Sequence, residues 1–182
     1  MRYNRTVKLN DGRLCVLRNG TEQDARASLD LFIRTHEQTD FLLTYPDEIT
    51  FTTDQQAEFL RKKTESEREA EILAEVDGKI VGTAGIEQIC DKFKTRHRAE
   101  FGISIDIAYY RLGIGRALTR ACVECAKAAG YSQLELEVVS ENSGAIALYK
   151  SEGFTEYGRM PRGFKSRFTG WQELVLMRLE LD

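Results

Sequence analysis

The segment from Ile105 to Leu118 constrains the fold of this chain more than any other stretch of the sequence. An alternating strand pattern over 99–107 runs into a turn with two glycines, and an amphipathic helix pattern follows over about 113–129. The glycines permit a tight turn and leave backbone amides uncovered, and the start of the helix adds free N–H groups with a partial positive charge. The sequence therefore predicts a turn suited to binding a phosphate or pyrophosphate.

Two common phosphate-binding loops do not match this turn. A Walker loop continues with Gly-Lys-Ser/Thr, whereas here Gly115 is followed by Arg116 and Ala117. A dinucleotide-binding turn has the pattern G-x-G-x-x-G, and its third glycine position is Leu118. Arg111 and Arg116 are placed to add charge-assisted contacts to a bound phosphate. For the turn alone, a tight connection without any ligand explains the glycines equally well.

The other periodic segments mix strands with helices, which predicts an α/β fold whose sheet is mixed rather than purely parallel. Turn residues at 10–12 and 77–79 indicate two hairpins, and Thr21, Thr53 and Asn142 are predicted helix caps. The predicted elements are strands at 6–9 and 14–17, helices from Thr21 and Thr53, strands at 70–76, 80–87 and 99–107, a helix at 113–129, a strand at 134–138, a helix at 142–150, and strands at 154–160 and 171–179.

Length and charge exclude several classes of protein. The 182 residues are 42% hydrophobic and 30% charged, which predicts one globular domain over 1–182. With 26 Lys+Arg against 29 Asp+Glu, the net charge of −3 is unsuited to nucleic-acid binding. No apolar run approaches the roughly 20 residues of a membrane span, and the first residues lack the apolar core of a signal peptide. We therefore expect a soluble cytoplasmic protein with no nucleic-acid or membrane partner.

The cysteines do not predict a metal site. Cys122 and Cys125 form a C-x-x-C, but both lie within the predicted helix, and the other two cysteines and both histidines are isolated. A structural zinc site needs four ligands, so one such pair is insufficient. We expect no metal and interpret the thiols as small apolar side chains packed against a sheet.

A second pattern begins 27 residues after Gly115 and favours a bound ligand. It reads N-x-x-A-x-x-L-Y-x-x-x-G-F and is matched at Asn142, Ala145, Leu148, Tyr149, Gly153 and Phe154. Together with the earlier Q/R-x-x-G-x-G/A pattern, matched at Gly113 and Gly115, it resembles the two signatures of the GNAT family of N-acetyltransferases. The Q/R position itself falls on Tyr110, with Arg111 displaced by one residue. The resemblance runs from about Glu71 to the C-terminus.

The resemblance implies a fold and a place for acetyl-CoA. The fold would be a central, mostly antiparallel sheet of six to seven strands with a splayed parallel pair and about four helices. An N-terminal hairpin and two helices would precede an acetyl-CoA core over about 71–154 and a C-terminal hairpin over 154–181. The backbone of Ile105 and Ile107 would pair with pantetheine, and Asn142 would contact the cofactor arm, cap its own helix, or do both. The pyrophosphate cradle would consist of Arg111, Leu112, Gly113, Ile114, Gly115, Arg116 and Ala117.

The resemblance also implies a reaction, namely direct attack of a primary amine on the acetyl thioester in a ternary complex. Tyr149 lies where the family places the phenol that protonates the CoA sulfur, although a core aromatic would have the same spacing. Leu136-Glu137-Val138 and the closing strands are similar to the ribosomal-protein and spermidine acetyltransferase branch, which makes Glu137 a candidate base. Glu100, Glu87 or a water chain are the alternatives.

Several questions stay open at the level of the sequence. A polyamine, peptide N-terminus, amino acid or aminoglycoside all fit as the acceptor, and the irregular segment over 39–50 would either wall its site or pack beneath it. A catalytically silent CoA-binding sensor and a transferase of longer acyl groups are alternative functions. Dimers are common in the family, so a homodimer is possible. Basic residues of the closing strands form a solvated edge or lie near the CoA 3′-phosphate: Arg159, Arg162, Lys165 and Arg167.

Overall fold

The computed structural model describes residues 2–181, which form eight strands and four α-helices. The strands are β1 (Asn4–Lys8), β2 (Leu14–Asn19), β3 (Ala70–Val76), β4 (Lys79–Gln88), β5 (Arg98–Ile105), β6 (Gln133–Val139), β7 (Thr155–Ser166) and β8 (Gly170–Glu180). The helices are α1 (Ala25–Glu37), α2 (Thr53–Glu65), α3 (Ile114–Ala128) and α4 (Ser143–Ser151).

All eight strands join one sheet in the order β1-β2-β3-β4-β5-β6-β8-β7. Each neighbouring pair is antiparallel except β5 and β6, which are parallel, so the predicted mostly antiparallel sheet with one parallel pair is confirmed. The prediction of six to seven strands is wrong by at least one strand. Both terminal hairpins are continuous with the central sheet, because β2 pairs with β3 and β8 pairs with β6.

The parallel pair is the irregular part of the sheet. β5 and β6 are paired only where 98–100 faces 133–135, although both strands continue for several residues beyond. On its other side β5 stays paired with β4 as far as Ile105, and β6 stays paired with β8 as far as Val139. The two strands therefore splay apart at their C-terminal ends and leave a gap in the middle of the sheet.

The two faces of the sheet are covered by different helices. α3 packs one face with a buried stripe that includes Leu118, Ala121 and Cys122. On the opposite face Leu31 of α1 packs against Leu73 and Ile80. Cys122 lies inside the main core and Cys125 is buried beside it, both as free thiols, as the sequence predicts. Among residues 2–181 no cluster of His, Cys, Asp or Glu is arranged to hold a metal ion.

Two element boundaries differ from the prediction. Thr52, not Thr53, caps α2, and its hydroxyl accepts a hydrogen bond from the Gln55 amide. β5 ends at Ile105, so Ile107 is not a strand residue as predicted; it begins a short 3₁₀ turn that the Asp106 carboxylate caps. Over the described range 2–181, no helix has the length and apolarity needed to cross a membrane.

Candidate functional site

Tyr149 lies on α4 beside the gap between β5 and β6. Its ring is almost fully buried and packs edge-on against Phe101 of β5, with 6.0 Å between ring centroids, and against Phe154 at 5.9 Å. Phe154 also donates its backbone amide to the Tyr149 carbonyl at 3.0 Å. The helix starts at the predicted cap, since the Asn142 side chain accepts a hydrogen bond from the Ala145 amide at 3.2 Å. The ring of Tyr149 is thereby held in one orientation.

The Tyr149 hydroxyl remains available to a ligand. Burial, with a smaller contribution from nearby Tyr110, raises the pKa of the phenol well above its ordinary value. No residue within 2–181 forms a hydrogen bond with this hydroxyl, and its oxygen is not fully enclosed by protein atoms. The phenol is therefore protonated at neutral pH, which suits a proton donor.

The glycine turn is built as a helix N-terminus with open amides. Gly113 is the N-cap of α3 with φ +93°, and Arg111 before it also has a positive φ of +62°. Asn10 of the β1–β2 turn fixes this conformation by donating its side-chain amide to the Arg111 carbonyl at 2.9 Å and its backbone amide to the Leu112 carbonyl at 3.1 Å. Because a glycine cap has no side chain, the first amides of α3 are left for an anion.

The arginines at this turn are not equivalent. Arg116 and Arg120 both pair with the Glu152 carboxylate, at 3.0 and 2.7 Å. Arg111 forms no ion pair with any carboxylate in the described part of the chain. Its guanidinium is therefore the cation of this turn that a phosphate would meet without competition.

Gly115 has a packing role that the sequence did not indicate. A Cβ at this position would lie 3.0 Å from Leu148 Cδ2 of α4 and 3.4 Å from Ile105 Cδ1 of β5. The missing side chain therefore lets α3 approach α4 and β5 closely. Of the two glycines, only Gly113 requires the left-handed backbone conformation.

The amide of Ile107, a residue predicted to pair with pantetheine, already has a partner in this structure. Its amide donates to the Gln38 side-chain oxygen at 3.0 Å, so this amide is not free to pair with pantetheine. Asp106 accepts hydrogen bonds from Arg34 at 2.6 Å and from Gln38 at 3.0 Å, and these contacts tie the turn to α1. Ile105, by contrast, is the last residue of β5 on the edge that faces the gap.

A cavity of about 640 Å³ lies on the opposite face of the sheet, between α1, α2 and strands β3 to β5. Its size is typical of small-molecule sites. Of the 39–50 segment, residues 42–44 line it. Tyr45 instead anchors the segment, because its hydroxyl donates to Asp40 at 2.9 Å and its ring stacks under Arg167 of the β7–β8 turn at 4.2 Å. The apolar lining consists of Phe32, Leu42, Leu43, Phe51 and Phe59 on the helix side and of Ala84, Phe101 and Ile103 on the sheet side.

Glu71 is a half-buried carboxylate at this cavity, and its local sequence pattern did not mark it as a site residue. On β3 it faces Gly85 of β4, which in turn faces Gly102 of β5, so one acidic residue and two glycines form a row across three strands. A side chain at Gly85 would collide with the Glu71 carboxylate. The glycines thus leave an open trough from Glu71 to the edge of the gap. The sequence shows a glutamate in one strand and a glycine in each of the next two strands. Only the strand register shows that these three residues lie side by side.

The environment of Glu71 disfavours its ionised form. Burial raises the pKa of the carboxyl to about 7, despite a hydrogen bond from Thr83 and the nearby charge of Lys63, both of which favour ionisation. Lys63 itself is buried and pairs with Glu69 at 2.9 Å and Glu87 at 2.7 Å. A carboxyl that titrates near neutrality in a cavity is a functional-site candidate.

The two carboxylates predicted as bases lie on the same face as Glu71. Glu100 is on the cavity wall, and burial together with the charges of Glu137, Glu87 and Glu135 raises its pKa. Glu137 is exposed on β6, across the gap, and is not among the cavity residues. The structure therefore brings Glu100, Glu71 and the alternative base Glu87 to the cavity and leaves Glu137 at the far side of the gap.

Comparisons with known proteins agree with this geometry. Residues 31–154 match the model of the acetyltransferase (GNAT) family. The [ribosomal protein bS18]-alanine N-acetyltransferase of Escherichia coli is 35% identical over 82 residues, which are 45% of this chain and 55% of that protein. Human N-acetyltransferase 8 is 32% identical over 106 residues, 58% of this chain and 44% of that protein. The chain thus spans about half the length of these curated relatives.

Solved structures are similar over nearly the whole chain. A GNAT family acetyltransferase from Streptococcus pneumoniae is 28% identical, with a TM-score of 0.87 over 92% of this chain and 99% of that one. A putative acetyltransferase from Salmonella typhimurium, solved with its cofactor acetyl-CoA, is 22% identical, with a TM-score of 0.82 over 92% of this chain and 94% of that one. The second similarity concerns the fold alone.

Proposed function

This chain belongs to the GNAT family of acetyltransferases, and from that premise we propose that it transfers an acetyl group from acetyl-CoA to a primary amine. The observation that carries the proposal is the gap between β5 and β6. Tyr149 borders it on the α4 side, the Gly113 turn opens beside it, and the cavity over β3 to β5 adjoins it on the other face. The presence of these three features at one break in the sheet supports a site for two substrates there.

The residues around the gap fit the parts of acetyl-CoA. The free amides at the start of α3, from Gly113 to Arg116, and the unpaired guanidinium of Arg111 suit the pyrophosphate. The Ala117 amide already donates to the Gly113 carbonyl at 3.1 Å. The unpaired edge of β5 near Ile105 offers backbone groups to the pantetheine amides, and Asn142, at the start of α4, would add a side-chain N–H as a second donor. When bound, acetyl-CoA supplies an acetyl thioester to the acceptor.

The side chains at the gap divide the proton transfers. Tyr149, protonated at neutral pH, donates a proton to the departing thiolate. Glu100 and Glu137, the bases predicted from the sequence, flank the gap on the acceptor side, and Glu100 is the one that reaches the cavity. Because acetyl-CoA is the co-substrate we propose, we expect the protein to act in the cytoplasm.

The test is an assay of CoA release with matched arginine variants. Purified protein is mixed with acetyl-CoA and single amines, and a thiol reagent reports free CoA. We expect amine-dependent release, and about tenfold weaker acetyl-CoA binding by calorimetry in Arg111→Gln, since a charge-assisted contact is lost. Arg26→Gln, which removes an exposed arginine of α1, is the control and should bind like the wild type.

Each other outcome has a defined meaning. Binding of acetyl-CoA without turnover on any amine would contradict the transferase and favour a sensor. Release of CoA only from longer acyl thioesters would mean that the acyl donor is not acetyl-CoA. Unchanged affinity in Arg111→Gln would remove that residue from the cradle.

A further inference from the structure

The cavity has carboxylates on its sheet side and apolar side chains on its helix side. Glu71, Glu87 and Glu100 lie on strands β3, β4 and β5, and the aromatic rings that cover them come from α1, α2 and the segment before α2. No lysine or arginine is among the residues lining this cavity in the described part of the chain. A ligand with a positive charge at one end and an apolar body matches this lining, whereas a ligand carboxylate would lack a partner.

We propose that the cavity takes a primary ammonium group on an apolar body, with no carboxylate beside the nitrogen, and that Glu71 binds this ammonium group and accepts its proton. The proposal rests on the acetyltransferase function proposed above and names the acceptor class and the base of the same site.

The position of Glu71 fits a group that acts on a substrate at the gap. Its carboxylate lies over Gly85, and adjacent strands are about 4.8 Å apart, so Gly102 at the rim of the gap is one strand away. A Cβ at Gly102 would meet nothing within 4 Å, so the path along the row is open. An amine resting on this row is within reach of Glu71, directly or through one water.

The charges around Glu71 favour a cation. From α2, Lys63 faces it, but Lys63 is already paired with Glu69 and Glu87. From β5, Glu100 adds a further negative charge at the wall.

From α1, His36 contributes no charge at neutral pH. Its Nδ1 donates to the Phe32 carbonyl at 2.6 Å, and burial lowers its pKa. Lys63 is therefore the one cation that faces Glu71 among the described residues. An incoming ammonium group meets an excess of carboxylates.

The residues present account for every proton that moves in the proposed reaction. The acceptor enters as R–NH₃⁺ and gives one proton to the Glu71 carboxylate, which later releases it to water. The freed lone pair attacks the thioester carbonyl, so that a C–N bond forms and the C–S bond breaks as the Tyr149 phenol protonates the thiolate. The second proton leaving the nitrogen restores the phenol. The products are an amide, the CoA thiol and one proton.

The first experiment needs no variant and tests the acceptor class. The kcat/KM of the wild type is measured with phenethylamine, phenylalaninamide, phenylalanine and spermidine, which separate ring, carboxylate and polycation. We expect phenethylamine and phenylalaninamide to exceed phenylalanine by about 100-fold or more, because its carboxylate finds no cation in the cavity. Spermidine should also be poorer than phenethylamine, because it lacks an apolar body. Equal or better rates with phenylalanine or spermidine would overturn the acceptor class.

The second experiment tests Glu71 itself. Glu71→Gln keeps an acceptor for the Thr83 hydroxyl but cannot take a proton, so kcat/KM for phenethylamine should fall about 100-fold or more. An analogue with fluorine atoms beside the amino carbon is less basic and mostly neutral in the assay, so it should lose less. In the wild type, kcat/KM should decrease as the pH drops below about 7, and this acidic limb of the pH profile should disappear in the variant. Glu124→Gln, on the outer side of α3, is the control.

The outcomes separate this proposal from the proposed function. Glu71→Gln within threefold of the wild type, or an equal loss on both amines with the acidic limb intact, would overturn the role of Glu71. Intact acetyl-CoA binding with turnover only on carboxylate-bearing amines would overturn the acceptor class and leave the transferase standing. Failure of the wild type to bind acetyl-CoA would overturn both.

Discussion

Tyr149 shows how one side chain can be fixed by packing and still keep a reactive atom. The ring is held between Phe101 and Phe154, while the hydroxyl has no partner among residues 2–181. Leaving a buried phenol unpaired has a cost in stability. A ligand that brought a partner into the gap, as we propose for acetyl-CoA, would offset that cost.

Replacing Tyr149 with phenylalanine removes the hydroxyl and leaves the ring packing intact. We expect kcat to fall about 100-fold with little change in KM for acetyl-CoA, because a positioned proton donor contributes about 10²–10⁴-fold. A thiol with a pKa near 8.5 is a tolerable leaving group, so the loss should be at the lower end and shrink as pH rises. Steady-state kinetics at two pH values measure both effects.

Tyr131→Phe is the matched control, since Tyr131 is also buried but comes just before the paired start of β6, at the end of that strand away from the gap. It should keep the wild-type kcat. A Tyr149→Phe protein with wild-type kcat at neutral pH would mean that Tyr149 serves only to pack the core and that water protonates the thiolate.

At the scale of elements, α3 is placed by a close contact at Gly115. The helix touches Leu148 of α4 and Ile105 of β5 there, so the phosphate turn, the tyrosine helix and the edge of the gap are packed against each other. A substitution at Gly115 that weakens acetyl-CoA binding would therefore report displaced helices as well as a blocked cradle.

A double-mutant cycle isolates this contact. Gly115→Val should lower the free energy of unfolding by roughly 1–3 kcal/mol, because its side chain overlaps Leu148. In a Leu148→Ala background the same change should cost about 1 kcal/mol less, since the overlapping atoms are gone. Urea denaturation measures all four proteins. Additive effects within about 0.5 kcal/mol would show that the helices do not meet at Gly115.

At the scale of the whole molecule, Glu71 links the cavity to global stability. The ordinary pKa of its carboxyl is 4.5, and the folded environment raises the pKa to about 7. Between these values the folded state binds more protons than the unfolded state, so the contribution of Glu71 to stability falls as pH rises from 4.5 to 7. The cavity therefore keeps its carboxylate at a cost at neutral pH.

The difference in free energy of unfolding between the wild type and Glu71→Gln should follow this titration. Relative to the variant, the wild type should lose stability between pH 4.5 and 7, by no more than about 3 kcal/mol, and then level off. Denaturant unfolding at pH 5 and pH 8 measures the change without any ligand. A difference that does not depend on pH would mean that Glu71 is ionised throughout, with an ordinary pKa.

The sequence by itself determined the order of elements, the mixed sheet, the turn at Gly113 and the helix that carries Tyr149. These features depend on local spacing, on periods of two and near four residues, and on caps such as Asn142, all of which lie within a few residues of each other along the chain. The end of β5 was misplaced because the Asp106 cap competes with the alternating pattern through Ile107.

Only the tertiary structure decided where β5 and β6 part and which carboxylate enters the cavity. Strand register brings Glu71, Gly85 and Gly102 into one row although they are 14 and 17 residues apart. Alternation alone assigns a glutamate to a face but not to a neighbour, so Glu71, Glu87, Glu100 and Glu137 looked alike in the sequence. Burial by α1 and α2 then distinguishes Glu71, because the free energy of a charge depends on everything packed around it and not on its local sequence.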